Sequence, residues 1–181
     1  MKERTCGTQW LLLSVLALGS SAWAHESAKT TPAVQNATSI TGQGMPAYVQ
    51  DIAPGAAAAV KVVDAFSAAI KAVKLADAGQ LLDPKVLILE SGGSERSRDE
   101  YLAEHAIADA AFMQSAHQQL RYRQAQVEGD VAWVGTESVL QTVKNKKPFV
   151  LLSTETMVLR KTAQGWKIVH IHWSSRPATK N

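Results

Sequence analysis

The sequence predicts an α+β domain in which helices pack on one face of a curved antiparallel sheet. Three observations carry that expectation: an alanine-rich stretch over 56–82 with large apolar residues three and four apart, a second helical stretch opened by a capping signal at 97–100, and four β-rich runs from 118 onward separated by short turn motifs. Helices first and strands afterwards is the order of α+β domains, not of alternating βαβ units. With 181 residues and 46% hydrophobic content, the chain is long enough for one domain with a real core and too short to expect two.

Taken in order, residues 1–24 carry Lys2 and Arg4, an apolar core from Trp10 to Leu18, and the small-residue pattern Ala22-Trp23-Ala24. That is the build of a secretory signal peptide cleaved after Ala24, and the expected location is periplasmic or secreted. Residues 25–55 mix Thr, Ser, Gly, Pro and Gln with few large apolar residues, and read as a flexible tether with a short ordered piece around Tyr48 to Ile52. The folded domain is expected over 56–176, followed by a tail over 177–181. Val60, Val63, Phe66, Ile70 and Val73 give the long first helix one apolar face, with Gly79 its expected end or the start of a further short turn. "KVLILE" at 85–90 reads as a short strand and "SGGSERS" as its loop. Ser97 and Glu100 have capping-box spacing, and one helix is expected to run from there to Ala116. The four strands follow at 118–128, 131–143, 149–161 and 166–174, broken at Gly129-Asp130, at "KNKK", and at Ala163-Gln164-Gly165.

Composition excludes several functions. The formal charge is only +3, and losing Lys2, Glu3 and Arg4 with the leader lowers it by one, so nothing electrostatic argues for nucleic acid. "KNKK" is read as a solvated hairpin tip. Cys6 is the single cysteine and lies in the leader, which removes thiol chemistry and disulfides from the mature chain. No P-loop, dinucleotide loop or Ser-His-Asp motif appears, so no cofactor is expected. The leader's apolar run is too short to span a bilayer, and no membrane span is expected after cleavage.

The residues that could carry chemistry are polar groups in apolar patterns. On the second helix Tyr101, His105, Ala108, Asp109 and Phe112 line one stripe, and His105 and Asp109 are one turn apart, a spacing that lets the carboxylate orient the imidazole or serves only as a surface i,i+4 pair. Glu155 shares a strand face with Leu151, Ser153, Met157 and Leu159, and Glu137 falls between Trp133 and Val139; desolvation would make either a candidate general base, while Arg121 and Arg123 are available as plain ion-pair partners. Strict alternation in "GWKIVHIHWSS" puts Trp166, Ile168, His170 and His172 on one face and Val169, Ile171 and Trp173 on the other. His170 and His172 are then either a metal-binding pair needing a third ligand, such as His105, Glu90 or an N-terminal His25, or a structural and a solvent-facing histidine.

The alanine-rich helix, "VLILESGGSERSRDEYLAEHAIAD" and the ending "GWKIVHIHWSS" together resemble the nuclear transport factor 2-like superfamily, in its SnoaL-like and ketosteroid-isomerase-like bacterial branch; the last strand is also similar to that of the calcium/calmodulin-dependent kinase II association domain. The resemblance covers residues 56–176. It implies a cone-like curved sheet wrapped around the long helix, a pocket at the open end, and a homodimer formed through the sheet. It does not settle activity, because the fold hosts isomerases, dehydratases, cyclases, ligand binders and assembly domains. Three readings stay open. In the first, an exported pocket protein binds a small molecule against Tyr101, Phe112, Trp133 and Met157 with His170 and His172 at its edge, and His105, Asp109 or Glu155 transfers a proton if the ligand is turned over. In the second, a periplasmic copper or zinc protein uses His170, His172, His105 and Glu90. In the third, the domain is a homodimeric assembly module.

Overall fold

A computed structural model describes residues 48–178; the expected signal peptide, His25, the tether up to residue 47 and the end of the tail lie outside the described residues. The ordered piece expected near Tyr48 is a short strand, β1 (Val49–Ile52), followed by the helix α1 (Ala57–Lys71). α1 buries Ala59, Val63, Phe66, Ala69 and Ile70, a three-and-four spacing that turns one stripe onto the sheet.

The first helix is shorter than expected. It ends in a Schellman motif, in which Lys74 N–H donates to Ala69 O at 2.8 Å and Val73 N–H to Ile70 O at 3.0 Å, with Val73 left-handed at φ 59°. That position usually holds glycine, so a valine there leaves no stop signal in the sequence. Gly79 instead lies inside α2 (Leu75–Leu81), where an added Cβ would sit 2.8 Å from Leu102 Cδ1, so it serves close helix packing and not helix termination. Then come β2 (Leu82–Glu90) and β3 (Gly93–Glu95), an antiparallel pair that takes up part of the expected loop.

The second helix is two helices. Ser97 Oγ accepts from Glu100 N–H at 3.1 Å and Glu100 Oε2 accepts from Arg96 N–H at 2.7 Å, which opens α3 (Arg98–Ala103) much as the capping box predicts. Glu104 leaves helical geometry at φ −135°, ψ −64°, and α4 (His105–Ser115) starts at the next residue as a separate helix. The four meander strands are β4 (His117–Glu128), β5 (Val131–Lys144), β6 (Lys147–Thr162) and β7 (Gly165–Pro177). Asn145 and Lys146 are both left-handed, at φ 53° and 61°, as a two-residue type I′ hairpin requires.

The sheet order is β1-β4-β5-β6-β7-β2-β3. The meander is antiparallel, whereas the flanking pairs β1/β4 and β2/β7 are parallel, so the sheet is antiparallel in its middle and mixed toward its edges. Its concave face carries Ala125, Ala132, Val134, Met157, Leu159, Ile168 and Ile171, fully buried against α1 and α2. Met157 is therefore core and not pocket wall.

One local irregularity decides which residues reach the interior. Val158 pairs with His170 and Leu159 with Ile168, leaving Val169 as a β-bulge. The bulge reverses the alternation, so Ile168 and Ile171 are both in the core and Trp166 and Trp173 both pack against it. His170 and His172 take the opposite side. Strict alternation had grouped them with Ile168, and it fails because the bulge inserts one unpaired residue. The outer face also carries Trp133 and Glu137, both exposed, which corrects Trp133 as a pocket residue.

Candidate active site

α1, α3, α4 and the concave face enclose a cavity of about 130 Å³ lined by, among others, Phe66, Ile70, Tyr101, Phe112, Met113, Leu140, Leu151 and Trp173. Phe66, Tyr101 and Trp173 form its aromatic floor, with ring centroids 6.1–6.5 Å apart. Glu90, Asp109 and Glu155 reach this cavity, and so do Gln118, Thr136, Ser138 and Ser153. Of the residues expected from sequence, Tyr101, Asp109, Phe112 and Glu155 line it, as does Glu90, expected only as a metal ligand, while His105, Trp133, Met157, His170 and His172 do not.

On the sheet side, Glu155 Oε2 accepts a hydrogen bond from Trp173 Nε1–H at 2.9 Å. The two face each other across the β6/β7 register, which the bulge at Val169 makes possible. Burial pushes the Glu155 carboxyl above its ordinary value; the indole bond and the nearby Arg123 guanidinium pull part of that back. Arg123 is only 5% exposed, and it donates to Asp64 Oδ1 at 2.5 Å and to Thr136 Oγ1 at 3.2 Å. A buried guanidinium needs such partners. Arg123, one of the two arginines that the sequence offers as ion-pair partners for Glu137 or Glu155, sits close enough to act on the Glu155 charge while its own hydrogen bonds go to Asp64 and Thr136.

On the helix side, the break at Glu104 rearranges the expected pairs. Tyr101 OH donates to Asp109 Oδ2 at 2.9 Å across the two helices, so the partner of Asp109 is the phenol and not His105. Burial, then the Asp109 charge, pushes the Tyr101 hydroxyl far up and keeps it a donor. Burial also pushes the Asp109 carboxyl up, against the opposing pull of the Tyr101 bond and of His105. His105 Nδ1 meets Glu95 Oε1 at 2.5 Å, and its Nε2 lies 4.0 Å from Glu90 Oε2. Burial works against a charged ring there, but the Glu95 bond and the surrounding carboxylates outweigh it and the imidazole's pKa is raised. Glu90 is raised by burial first and then by Asp109. Glu90, His105 and Asp109 also present donor atoms within 4.8 Å of one another, the one such group among the described residues.

The histidine pair does not join this cluster. His170 Nδ1 pairs with the Leu87 carbonyl at 2.9 Å across the β2/β7 edge, and His172 is exposed, so the structural alternative raised for these two residues describes them. Glu95, Phe66 and Trp173 are the site residues that sequence reasoning missed. Phe66 and Trp173 were visible only as core candidates, and Glu95 sat inside a stretch read as loop.

Comparison with known proteins agrees with this architecture. Residues 60–179 match the SnoaL-like domain family. A candidate ketosteroid isomerase from Shewanella frigidimarina NCIMB 400 is 36% identical, with 68% of this chain and 99% of that chain covered at a TM-score of 0.62. The CaMKII hub of S. rosetta is 25% identical over 68% of this chain and 98% of the hub, TM-score 0.59. A candidate calcium/calmodulin-dependent protein kinase II association domain from Xanthomonas campestris, 19% identical with 75% and 100% covered and a TM-score of 0.55, shares the fold. No curated protein matches the chain. The chain belongs to the SnoaL-like family and has the nuclear transport factor 2-like fold.

Proposed function

We propose that the chain is an exported protein that binds a small, mostly apolar molecule with one polar end in this cavity, and that Glu155 moves a proton on it. The observation that carries the reading is Glu155 itself, a carboxyl of raised pKa set in an aromatic wall and oriented by the Trp173 indole. A base so placed takes a proton from a carbon next to a carbonyl and returns it to another carbon of the same molecule. Tyr101, held protonated, donates its hydroxyl proton to Asp109, a carboxyl that lines the same cavity. The volume of about 130 Å³ lies below the ~300–1,000 Å³ of drug-sized pockets, so the ligand is expected to be a single ring or a short chain. The likeness to a protein described as a candidate ketosteroid isomerase supports the reaction class, while the volume argues against a ligand as large as a steroid. The leader sequence supports export.

The test uses 3-cyclohexen-1-one. Its isomerisation to the conjugated enone is followed by ultraviolet absorbance, and its binding by the NMR signal of the Trp173 indole N–H. Wild type should shift that signal and form product, and Glu155→Gln should slow product formation by about 10²-fold or more. A shifted signal without product removes the proton-transfer half; neither signal nor product across a panel of monocyclic ketones removes the reading.

Self-association through the outer sheet face is a second, compatible reading. It is favoured by Val131, Trp133 and Val143, which stay exposed along β5. Sedimentation equilibrium of wild type beside Trp133→Glu decides it, since a dimer built on this face should dissociate in the variant and a monomeric wild type ends the idea.

A further inference from the structure

The helix side of the cavity holds more acid than a proton-transfer site requires. Glu90 ends β2, Glu95 lies in β3 opposite Ile88, His105 opens α4 and Asp109 follows one turn later. Three carboxyl groups thus surround one imidazole, which carries at most one positive charge. The ring's orientation is set by Nδ1, which pairs with Glu95 Oε1 at 2.5 Å and leaves Nε2 on the side of Glu90, 4.0 Å from Oε2 and too far for a hydrogen bond. The other Glu95 oxygen, Oε2, is buried and accepts no hydrogen bond among the described residues, so this carboxylate acts through the imidazole alone. A carboxylate holding one ring nitrogen while the other faces further carboxylates is the arrangement that orients metal-binding histidines.

We propose that Glu90, His105 and Asp109 bind one divalent first-row transition ion of the zinc class, with Glu95 positioning the imidazole. One nitrogen and two carboxylate oxygens are a borderline donor set that suits such ions, whereas magnesium and calcium are held by oxygen donors. The donor atoms all lie within 4.8 Å of one another. A tetrahedral ion with bonds of ~2.0–2.2 Å wants them ~3.4 Å apart, so the set has to tighten by up to about 1.4 Å, within the reach of rotations of these half-buried side chains. Asp109 Oδ2 accepts from Tyr101, leaving Oδ1 for the ion. Since Glu90 and Asp109 both line the cavity, the ion's fourth position would open toward it. The proposal does not depend on Glu155 acting as a base, because Glu155 is not among the donors.

The test is calorimetric titration of zinc into the chelator-stripped full chain, with elemental mass spectrometry after desalting. One equivalent is expected on wild type, weakened at least tenfold by His105→Ala and by Glu90→Gln, and weakened about 10–100-fold by Glu95→Gln, which keeps every donor in place. The His170→Ala/His172→Ala double variant and Glu155→Gln should bind as wild type does. Circular dichroism of each variant checks the fold, and Glu95→Gln keeps the test open should His105→Ala unfold. Absence of a stoichiometric ion on wild type overturns the proposal. So does zinc that survives His105→Ala but is lost with His170 and His172, which would place the ion on the outer face.

Discussion

The inner and outer faces of the same four strands make very different use of polar residues. Inside, Arg123, Thr136 and Ser138 are buried, Glu155 is bonded to an indole, and the Arg123 guanidinium has named partners. Outside, Glu137 and His172 stand in water and Trp133 is 38% exposed. The contrast teaches that a polar residue in an apolar strand pattern is informative only once its face is known. The chemistry of the residue is the same on either side; the desolvation is not.

The contrast breaks most severely at Arg123. Arg123→Met would leave Asp64 and Glu155 without their cation, and because Asp64 is half in water while Glu155 is not, most of the loss falls on Glu155. Urea unfolding should show a loss of about 3 kcal/mol, the low end for breaking a buried pair; a loss below 1 kcal/mol would mean that this face tolerates an unpaired carboxylate.

A smaller effect, with an informative sign, is expected at Glu155. Its folded-state pKa is raised, so the folded protein holds that proton more tightly than the unfolded chain does. The resulting stabilisation is full below the unfolded carboxyl value, near 4.3, and is lost as pH rises through the folded value. Asp109 and Glu90 act in the same direction. Glu155→Gln should therefore be more stable than wild type at pH 7–8 by ~1.4 kcal/mol for each unit by which the folded pKa is raised, and the gap should close toward pH 4. Thermal melts across that range check it, and a gap that does not depend on pH would mean that Glu155 is solvated. The smallest change is expected outside, where Trp133→Glu should shift the stability of the isolated chain by no more than about 0.5 kcal/mol, whatever it does to association.

Much of this was legible in the sequence. The meander could be read because Gly129-Asp130 and Asn145-Lys146 supply the turn chemistry that hairpins demand, and Ser97 with Glu100 marked the start of α3. Tyr101, Asp109, Phe112 and Glu155 were found as polar or aromatic groups out of place in their stripes. What was missed lies where tertiary packing overrides local preference. Val73 takes a left-handed cap usually given to glycine, and Glu104 breaks a run of good helix formers, so neither leaves a mark in the composition. That second break is why Asp109 found Tyr101 and not His105. Trp133 was misplaced because a large aromatic on a strand looks like pocket wall on either face, and the two histidines because Val169, the extra residue, is a β-branched apolar like its neighbours.

Val169 also sets how this family member can change over generations. The last strand reads its two faces in a frame, and a single unpaired residue sets that frame for everything after it. Drawing Val169 into the ladder opposite Val158 would slip residues 170–177 by one as a block, carrying Trp173 out to solvent and bringing His172 inward to the place opposite Glu155. Deleting that one codon would instead leave Ile168 and His170 adjacent opposite Leu159 and Val158, so the indole would keep its place opposite Glu155 and the slipped frame would have no residue left to make it.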